Sequence, residues 1–437
     1  MPVRVTIKGP IRIKGSIKVP ADKSVSHRSL ILSAMATGES RIEGLLESKD
    51  VLSTLSCLTR LGVGIEKIAP GCYRVDGLPS GGLMEPKEVL DCGNSGTTVR
   101  LLVGLVSAHP MTCVFAGDRS LSERPMGRVV GPLSMAGATF LGRAGNSRLP
   151  LTVRGGTLKP TIYTLPVASA QVKSCLLLAG LGSSGTWRIT EPAPTRDHTE
   201  RMLEGSGVVV WREGRTIEIT GPQSPRSGQW TVVGDISSAA FFLVAGLLAA
   251  EPEVTIEGVS LNPTRTGILD VVEAMGGQCR VTPGPSVSGE PQGTLLIRPS
   301  ELEATQIGGE LIGRLVDEIP ILAVAATLAR GQTRISDAAE LRKKECDRIH
   351  AMTTELAAMG ARIKEEADGF TIDGVTGLTG ARVSSHDDHR VAMALAVAGL
   401  AAQGTTTIEH AECVDISYPG FFEDLRRMTG EGHVTIE

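Results

Sequence analysis

A chain of 437 residues is too long for one ordinary hydrophobic core, so two large domains are expected. Hydrophobic residues at 41% and charged residues at 21% fit a soluble globular protein, and aromatics at only 3% leave the core to Ala, Leu, Val and Ile. The 44 basic and 48 acidic side chains give a formal charge of −4, which excludes a global basic field for nucleic acid, so any anion site must be a local concentration of Lys and Arg.

The eight cysteines form no C-x-x-C pair, which points to reduced thiols in a cytoplasmic compartment and away from a disulfide or zinc framework. The stretch MPVRVTIKGP has no apolar signal core, and no charge-free stretch spans a membrane. The apolar run Ala239–Ala250 is too short to span one and reads as a buried helix.

Along the chain, a polar cluster opens a small-residue helix that leads into a strand, six times in order. The openings are Ser24, Asn94, Ser169, Asp235, Asp317 and Asp387. A second helix follows in each unit, several ending in Gly before another strand, as in LSCLTRLGVGIE and ELAAMGARI. Each unit therefore reads as strand–helix–strand–helix–strand–strand, and the strand ahead of Pro20-Ala21-Asp22 is left over from the first. Three units on each side of residue 233 predict two domains, 1–20 with 234–437 and 21–233. A structural solenoid is the plain alternative. It gives no reason for Ser24/His27/Arg28, Asn94/Ser95/Gly96, Ser169/Gln171/Lys173 and Asp388/His389/Arg390 to recur at helix starts. Such starts present unpaired N–H groups and the positive end of the helix dipole, and so hold anions.

In the first unit, Ser24 and Arg28 share a helix face and Lys23 lies at its mouth; a Ser cap with solvated charges fits as well. Gly93–Arg100 is a Gly/Ser turn opening a helix, and Gly117–Arg128 reads by default as a solvated loop. Val316–Pro320 places Asp317 in an early helical turn, where a simple cap is the bland reading. If Lys344, Glu345 and Arg348 occupy a first helical turn they are neighbours, either as a surface salt-bridge network or as an acid/base in an anion site. His386 and His389 in SHDDHR invite a metal, but no further ligand cluster exists and Arg390 is a poor neighbour for a cation.

Taken together, PADKSVSHR, LDCGNSGTTVRLL, GDRSLSERPMGR, SAQVKS, RDHTERML, DEIPILAVAA, LRKKECDR and DDHRVAMA resemble the enolpyruvyl transferase family, in family order from residue 20 to about 395. The closer likeness is to the branch that joins phosphoenolpyruvate to the 5-hydroxyl of shikimate-3-phosphate, a step of aromatic amino-acid biosynthesis. The resemblance implies a two-domain inside-out α/β barrel of six βαβαββ repeats, three per domain. It places Lys23, Ser24, Arg28, Ser169, Ala170, Gln171, Arg196, Asp317 and Lys344 around shikimate-3-phosphate. It places Lys23, Gly96, Arg124, Gln171, Glu345, Arg348 and Arg390 around phosphoenolpyruvate, with His389 beside them. Glu345, Asp317 and Lys23 are the implied catalytic groups.

The chain departs from one branch of the family at Ala170, Arg196, Glu340 and Ile416, where that branch has a second Ser, Ser/Tyr-type sugar-phosphate contacts, Asn and Lys. SAQVKS and RDHTE instead resemble a second branch, some members of which tolerate glyphosate. Two phosphates and two carboxylates bring roughly −5 to −6 of charge, which Lys23, Arg28, Arg124, Arg196, Lys344, Arg348 and Arg390 would balance. No metal, nucleotide or redox cofactor is called for. The expected partners are the two small-molecule substrates, with no nucleic acid and no membrane, and a monomer is expected. The sister enzyme acting on UDP-N-acetylglucosamine is the alternative. That enzyme often carries a Cys in the loop matching Gly117–Arg128, which here has none.

Overall fold

The six polar openings each start a helix in the computed structural model, which describes residues 3–78 and 82–437. The helices are Lys23–Met35, Gly96–Ser107, Ala170–Leu181, Ile236–Ala249, Ile319–Thr327 and His389–Ala401. Five are closed by a side chain that accepts a first-turn N–H: Asp22 from Val25, Ser95 from Thr98, Ser169 from Val172, Asp235 from Ser237, and Asp388 from Arg390 and Val391. The first cap is therefore Asp22 and not Ser24. In the fifth helix the cap residue is Glu318, which makes no such bond, so Asp317 is not a cap. In Ile236–Ala249 every residue except Leu248 is buried. A helix apolar on all sides belongs inside.

Every repeat builds a four-stranded sheet of one pattern. The strand after the helix pairs with a parallel edge strand on one side and an antiparallel return strand on the other. The return strand then pairs antiparallel with the second edge. In the third repeat, for example, Gly185–Thr190 runs parallel to Ile162–Thr164 and antiparallel to Thr216–Gly221. The second, third and fifth repeats each draw all four strands from one continuous stretch of sequence.

Three repeats complete themselves with strands from far along the chain. Ile13–Lys18 does not serve the helix it precedes; it is the parallel edge of the fourth repeat, with Ile17 opposite Ile256. The first repeat takes Gln229–Thr231 instead, with Trp230 opposite Ile42. The sixth is completed by Val5–Gly9, with Ile7 opposite Thr406. The leftover strand of the sequence pattern thus has its place by exchange.

The chain divides into two units. One holds the residues up to Pro20, Gly234–Pro285 and Pro291–Glu437; the other holds Ala21–Val233 with the short segment Ser286–Glu290. Each has its own apolar core, built from Leu, Val, Ile and Ala with few rings. In the first unit the helices starting at Ile236, Ile319 and His389 pack on one another. In the second, Gly104 meets the carbonyl of Cys175 where two helices cross, and a Cβ at that position would overlap the oxygen. No helix among the described residues is long and apolar enough to cross a membrane.

Candidate active-site residues

In the unit Ala21–Val233, the first helix starts at Lys23 and carries Arg28 one turn beyond Ser24. Lys23 is paired with Asp50, which opens the helix Lys49–Arg60. Arg28 is buried. Its Nε donates to Thr199 Oγ1 at 2.7 Å, its Nη2 to Ser174 Oγ at 2.8 Å and its Nη1 to the Ser24 carbonyl at 3.0 Å. Burial lowers its pKa to about 10, against the opposing pull of Glu200, Asp22 and Glu290 and with a smaller push from Arg196. Arg196 is thus within electrostatic reach of Arg28. His27, between them, is buried against Thr54, with Nδ1 2.7 Å from Oγ1. Burial holds its pKa well below the ordinary value, reinforced by Lys23 and Arg28.

The second and third helices meet through Gln171. Its Oε1 accepts from Arg100 Nη1 at 2.7 Å and its Nε2 donates to Thr97 Oγ1 at 3.0 Å. Gly96 lies under the same guanidinium, where a Cβ would sit 2.7 Å from Arg100 Nη1 and 3.5 Å from Arg124 Nη1. Arg124 is anchored on Asn94, to the carbonyl at 3.3 Å and to Oδ1 at 2.8 Å, so the segment Gly117–Arg128 is tied back to the GNSGT turn and is not merely a solvated loop. Ser169 caps the third helix and Ala170 is its first residue.

Arg100 was not among the expected site residues. The signal was present: Gly96 and Arg100 repeat the one-turn spacing of Ser24 and Arg28 in the next unit. Lys173 departs the other way. Grouped by sequence with Ser169 and Gln171 at the helix mouth, it is buried and paired with Glu191 at 2.9 Å and Glu200 at 2.7 Å. Burial alone would lower its pKa, but the two carboxylates outweigh that and raise it.

In the other unit the centre is Arg348, 2% exposed. Its Nε donates to Asp388 Oδ2 at 2.7 Å, its Nη2 to Glu345 Oε2 at 2.7 Å and its Nη1 to Asp317 Oδ1 at 3.4 Å. Lys344 reaches the same Asp317 oxygen at 3.3 Å. Burial disfavours the charge on Arg348, but Asp388, Glu345 and Asp317 more than reverse this and its pKa is raised. A surface network is ruled out by that burial. The backbone also differs from a first helical turn: Lys344 ends a 3₁₀ turn, Ala339–Lys343, and the helix starts only at Arg348 behind its cap Asp347. The Glu345–Arg348 contact survives because both flank that cap.

Arg390, in the first turn of the sixth helix, is 6% exposed and lies over the Phe241 ring at 6.0 Å. Its buried Nε and Nη1 have no hydrogen-bond partner among the described residues. A buried guanidinium in that state calls for an anion. His386, the other histidine of SHDDHR, has its Nε2 2.7 Å from Glu355 Oε1, while Asp388 serves the helix cap and Arg348.

The geometry is therefore one of cations oriented by hydroxyls, carbonyls or carboxylates, with three carboxylates held on the Arg348 guanidinium and the buried Nε and Nη1 of Arg390 without a hydrogen-bond partner among the described residues. Residues 7–425 match the family described as EPSP synthase (3-phosphoshikimate 1-carboxyvinyltransferase). The chain belongs to the EPSP synthase family. A 3-phosphoshikimate 1-carboxyvinyltransferase of Synechococcus sp. (strain RCC307) is 51% identical over 431 residues, covering 97% of this chain and 99% of that protein. A solved EPSP synthase from Acinetobacter baumannii superposes with a TM-score of 0.89 at 39% identity, covering 100% of both chains. The enolpyruvyl transferase NikO from Streptomyces tendae shares the fold, with a TM-score of 0.81 at 19% identity over 100% of this chain and 99% of that one.

Proposed function

We infer that the chain transfers the enolpyruvyl group of phosphoenolpyruvate to the 5-hydroxyl of shikimate-3-phosphate and releases phosphate. Membership of the EPSP synthase family supports this and disfavours a UDP-N-acetylglucosamine acceptor. The observation that carries the chemistry is the pair Asp317 and Glu345 on one buried guanidinium, Arg348. Addition–elimination needs a proton delivered to carbon and another taken from oxygen; Glu345 enters protonated for the first task and Asp317 ionised for the second.

In this reading Glu345 gives its proton to C3 of phosphoenolpyruvate while the 5-oxygen bonds to C2 and passes its own proton to Asp317. Lys23 is the other candidate for that base. The resulting tetrahedral adduct still carries the phosphate. Glu345 then takes a proton back from C3, the C2–oxygen bond to phosphate breaks, and the enol ether is restored. Arg390 and Arg124, with Lys23 and Arg348, bind the donor's phosphate and carboxylate. Gly96 lets the donor approach the second helix closely. Arg28, Arg196, Ser24, Ser169, Ala170, Gln171 and Lys344 hold shikimate-3-phosphate. Residues 1–20 with 234–437, and 21–233, form the two working domains, and the enzyme acts as a cytoplasmic monomer.

A coupled phosphate-release assay tests this reading. Release should require both substrates together, and UDP-N-acetylglucosamine should not replace shikimate-3-phosphate. Release with either substrate alone, or only with the sugar nucleotide, would overturn it.

A further inference from the structure

Arg28 differs from Arg348 and Lys173 in what holds it. Arg348 and Lys173 are each met by carboxylates. Among the described residues, Arg28 is met only by neutral oxygens: Thr199 Oγ1, Ser174 Oγ and the Ser24 carbonyl. The two hydroxyls are themselves 2.7 Å apart, so one donates to the other while both accept from the guanidinium. Three of the five guanidinium N–H groups are thereby spent, and one on each terminal nitrogen is left.

The sequence neighbours of this hydroxyl pair explain how it is kept neutral. Ser174 follows Lys173 on the helix Ala170–Leu181, and Thr199 precedes Glu200 on the helix His198–Gly205. Lys173 and Glu200 are joined at 2.7 Å, both almost fully buried, and Glu191 completes the triad at 2.9 Å from Lys173. The triad fastens the two helices at the height of the hydroxyls. It also turns the nearest carboxylate towards Lys173, so the positive charge of Arg28 is not cancelled by direct contact.

We propose that Thr199 and Ser174 are positioning residues for shikimate-3-phosphate: a neutral hydroxyl clamp that aims the two remaining N–H groups of Arg28 at the substrate's anionic groups and leaves its charge to them. This rests on the reading of Arg28 as a ligand of that substrate. Thr199→Val keeps the shape and removes the hydroxyl. A hydrogen bond to a charged group is typically worth about tenfold or more in an equilibrium. The Val variant should therefore raise KM for shikimate-3-phosphate by about tenfold or more. KM for phosphoenolpyruvate should stay within about twofold and kcat within about threefold. Thr199→Ser, which restores the oxygen, should return KM for shikimate-3-phosphate to near the wild-type value.

An unchanged KM for shikimate-3-phosphate in Thr199→Val would overturn the proposal. So would an equal rise in both KM values, or a Ser variant as impaired as the Val variant. Should Thr199→Val not fold, Ser174→Ala removes the second acceptor and must show the same selective rise; if it does not, the clamp is not what orients Arg28. A wild-type enzyme that releases no phosphate from the two substrates would instead sink the underlying reading, so the two failures are distinct.

Discussion

Gly96→Ala is a perturbation whose size can be worked out atom by atom. The backbone at Gly96 lies outside the left-handed region, so alanine brings no backbone strain at the helix start. Its Cβ, however, would lie 2.7 Å from Arg100 Nη1, where ordinary contact begins at 3.4 Å. The guanidinium must retreat by about 0.7 Å, the difference between those two distances. The same nitrogen donates to Gln171 Oε1 at 2.7 Å, so a retreat along that bond takes it to the edge of hydrogen bonding. Overpacking of this kind costs about 1–3 kcal/mol, and a weakened bond to a charged group about 1.5–3 kcal/mol. Arginine is a flexible side chain, so the lower part of the range applies, roughly a tenfold fall in kcat/KM for phosphoenolpyruvate. The assay varies phosphoenolpyruvate at saturating shikimate-3-phosphate, with a thermal melt to show that the variant is folded. Glyphosate, expected to compete with phosphoenolpyruvate and longer than it, should lose more affinity than the substrate does. Unchanged kcat/KM together with equal glyphosate inhibition constants would refute the reasoning, since the donor would then not lie against this glycine.

Glu345→Gln keeps an acceptor for Arg348 but removes the proton donor, so kcat should fall about a hundredfold or more while shikimate-3-phosphate still binds. A variant keeping more than about a tenth of wild-type kcat, against that typical loss, refutes the acid assignment. Cys113→Ser should leave kcat within about twofold, because the thiol takes no covalent part in the reaction. Its thiol is buried and pushed up to about 12, by burial first and then by Glu85 and Cys57, and so stays protonated and inert. Lost activity there would mean a covalent thiol step. His27 predicts a pH dependence of stability: its folded pKa is depressed, so the unfolded chain takes up the proton first as pH falls through 6.5. Stability is full above that value and is lost below it, by up to about 1.4 kcal/mol per pH unit. His27→Gln should flatten the slope of melting temperature between pH 7 and 5, and identical slopes would contradict the assignment.

The repeat was readable because it is local: a capping residue, a small-residue helix and a strand lie within some twenty-five positions of each other. The strand exchange was not. Ile13–Lys18 pairs with residues beyond 250, and Gln229–Thr231 with residues near 42, and no local pattern records a partner so distant. Side-chain partners followed the same divide. Glu345 and Arg348 are three apart and meet, although a cap at Asp347 stands where a continuous turn was expected. Asp388, forty residues from Arg348, stood at a helix start and caps that helix, but it also holds the Arg348 guanidinium as closely as Glu345 does. Lys173 looked like a helix-mouth cation, because burial by Glu191 and Glu200 depends on how two helices pack. Arg100 alone was within reach, since the second unit repeats the spacing of the first.

Turnover in deuterium oxide, with the products followed by proton NMR and mass spectrometry, tests addition–elimination most directly. Protonation of C3 makes a methyl group, and its later deprotonation leaves solvent hydrogen behind in the vinyl group. The expected products are phosphate and a 5-linked enolpyruvyl ether whose methylene carries deuterium, with Glu345→Gln losing that exchange. An ether formed at wild-type rate with no deuterium in its methylene would contradict addition–elimination, because the group would then have been transferred without protonation at C3.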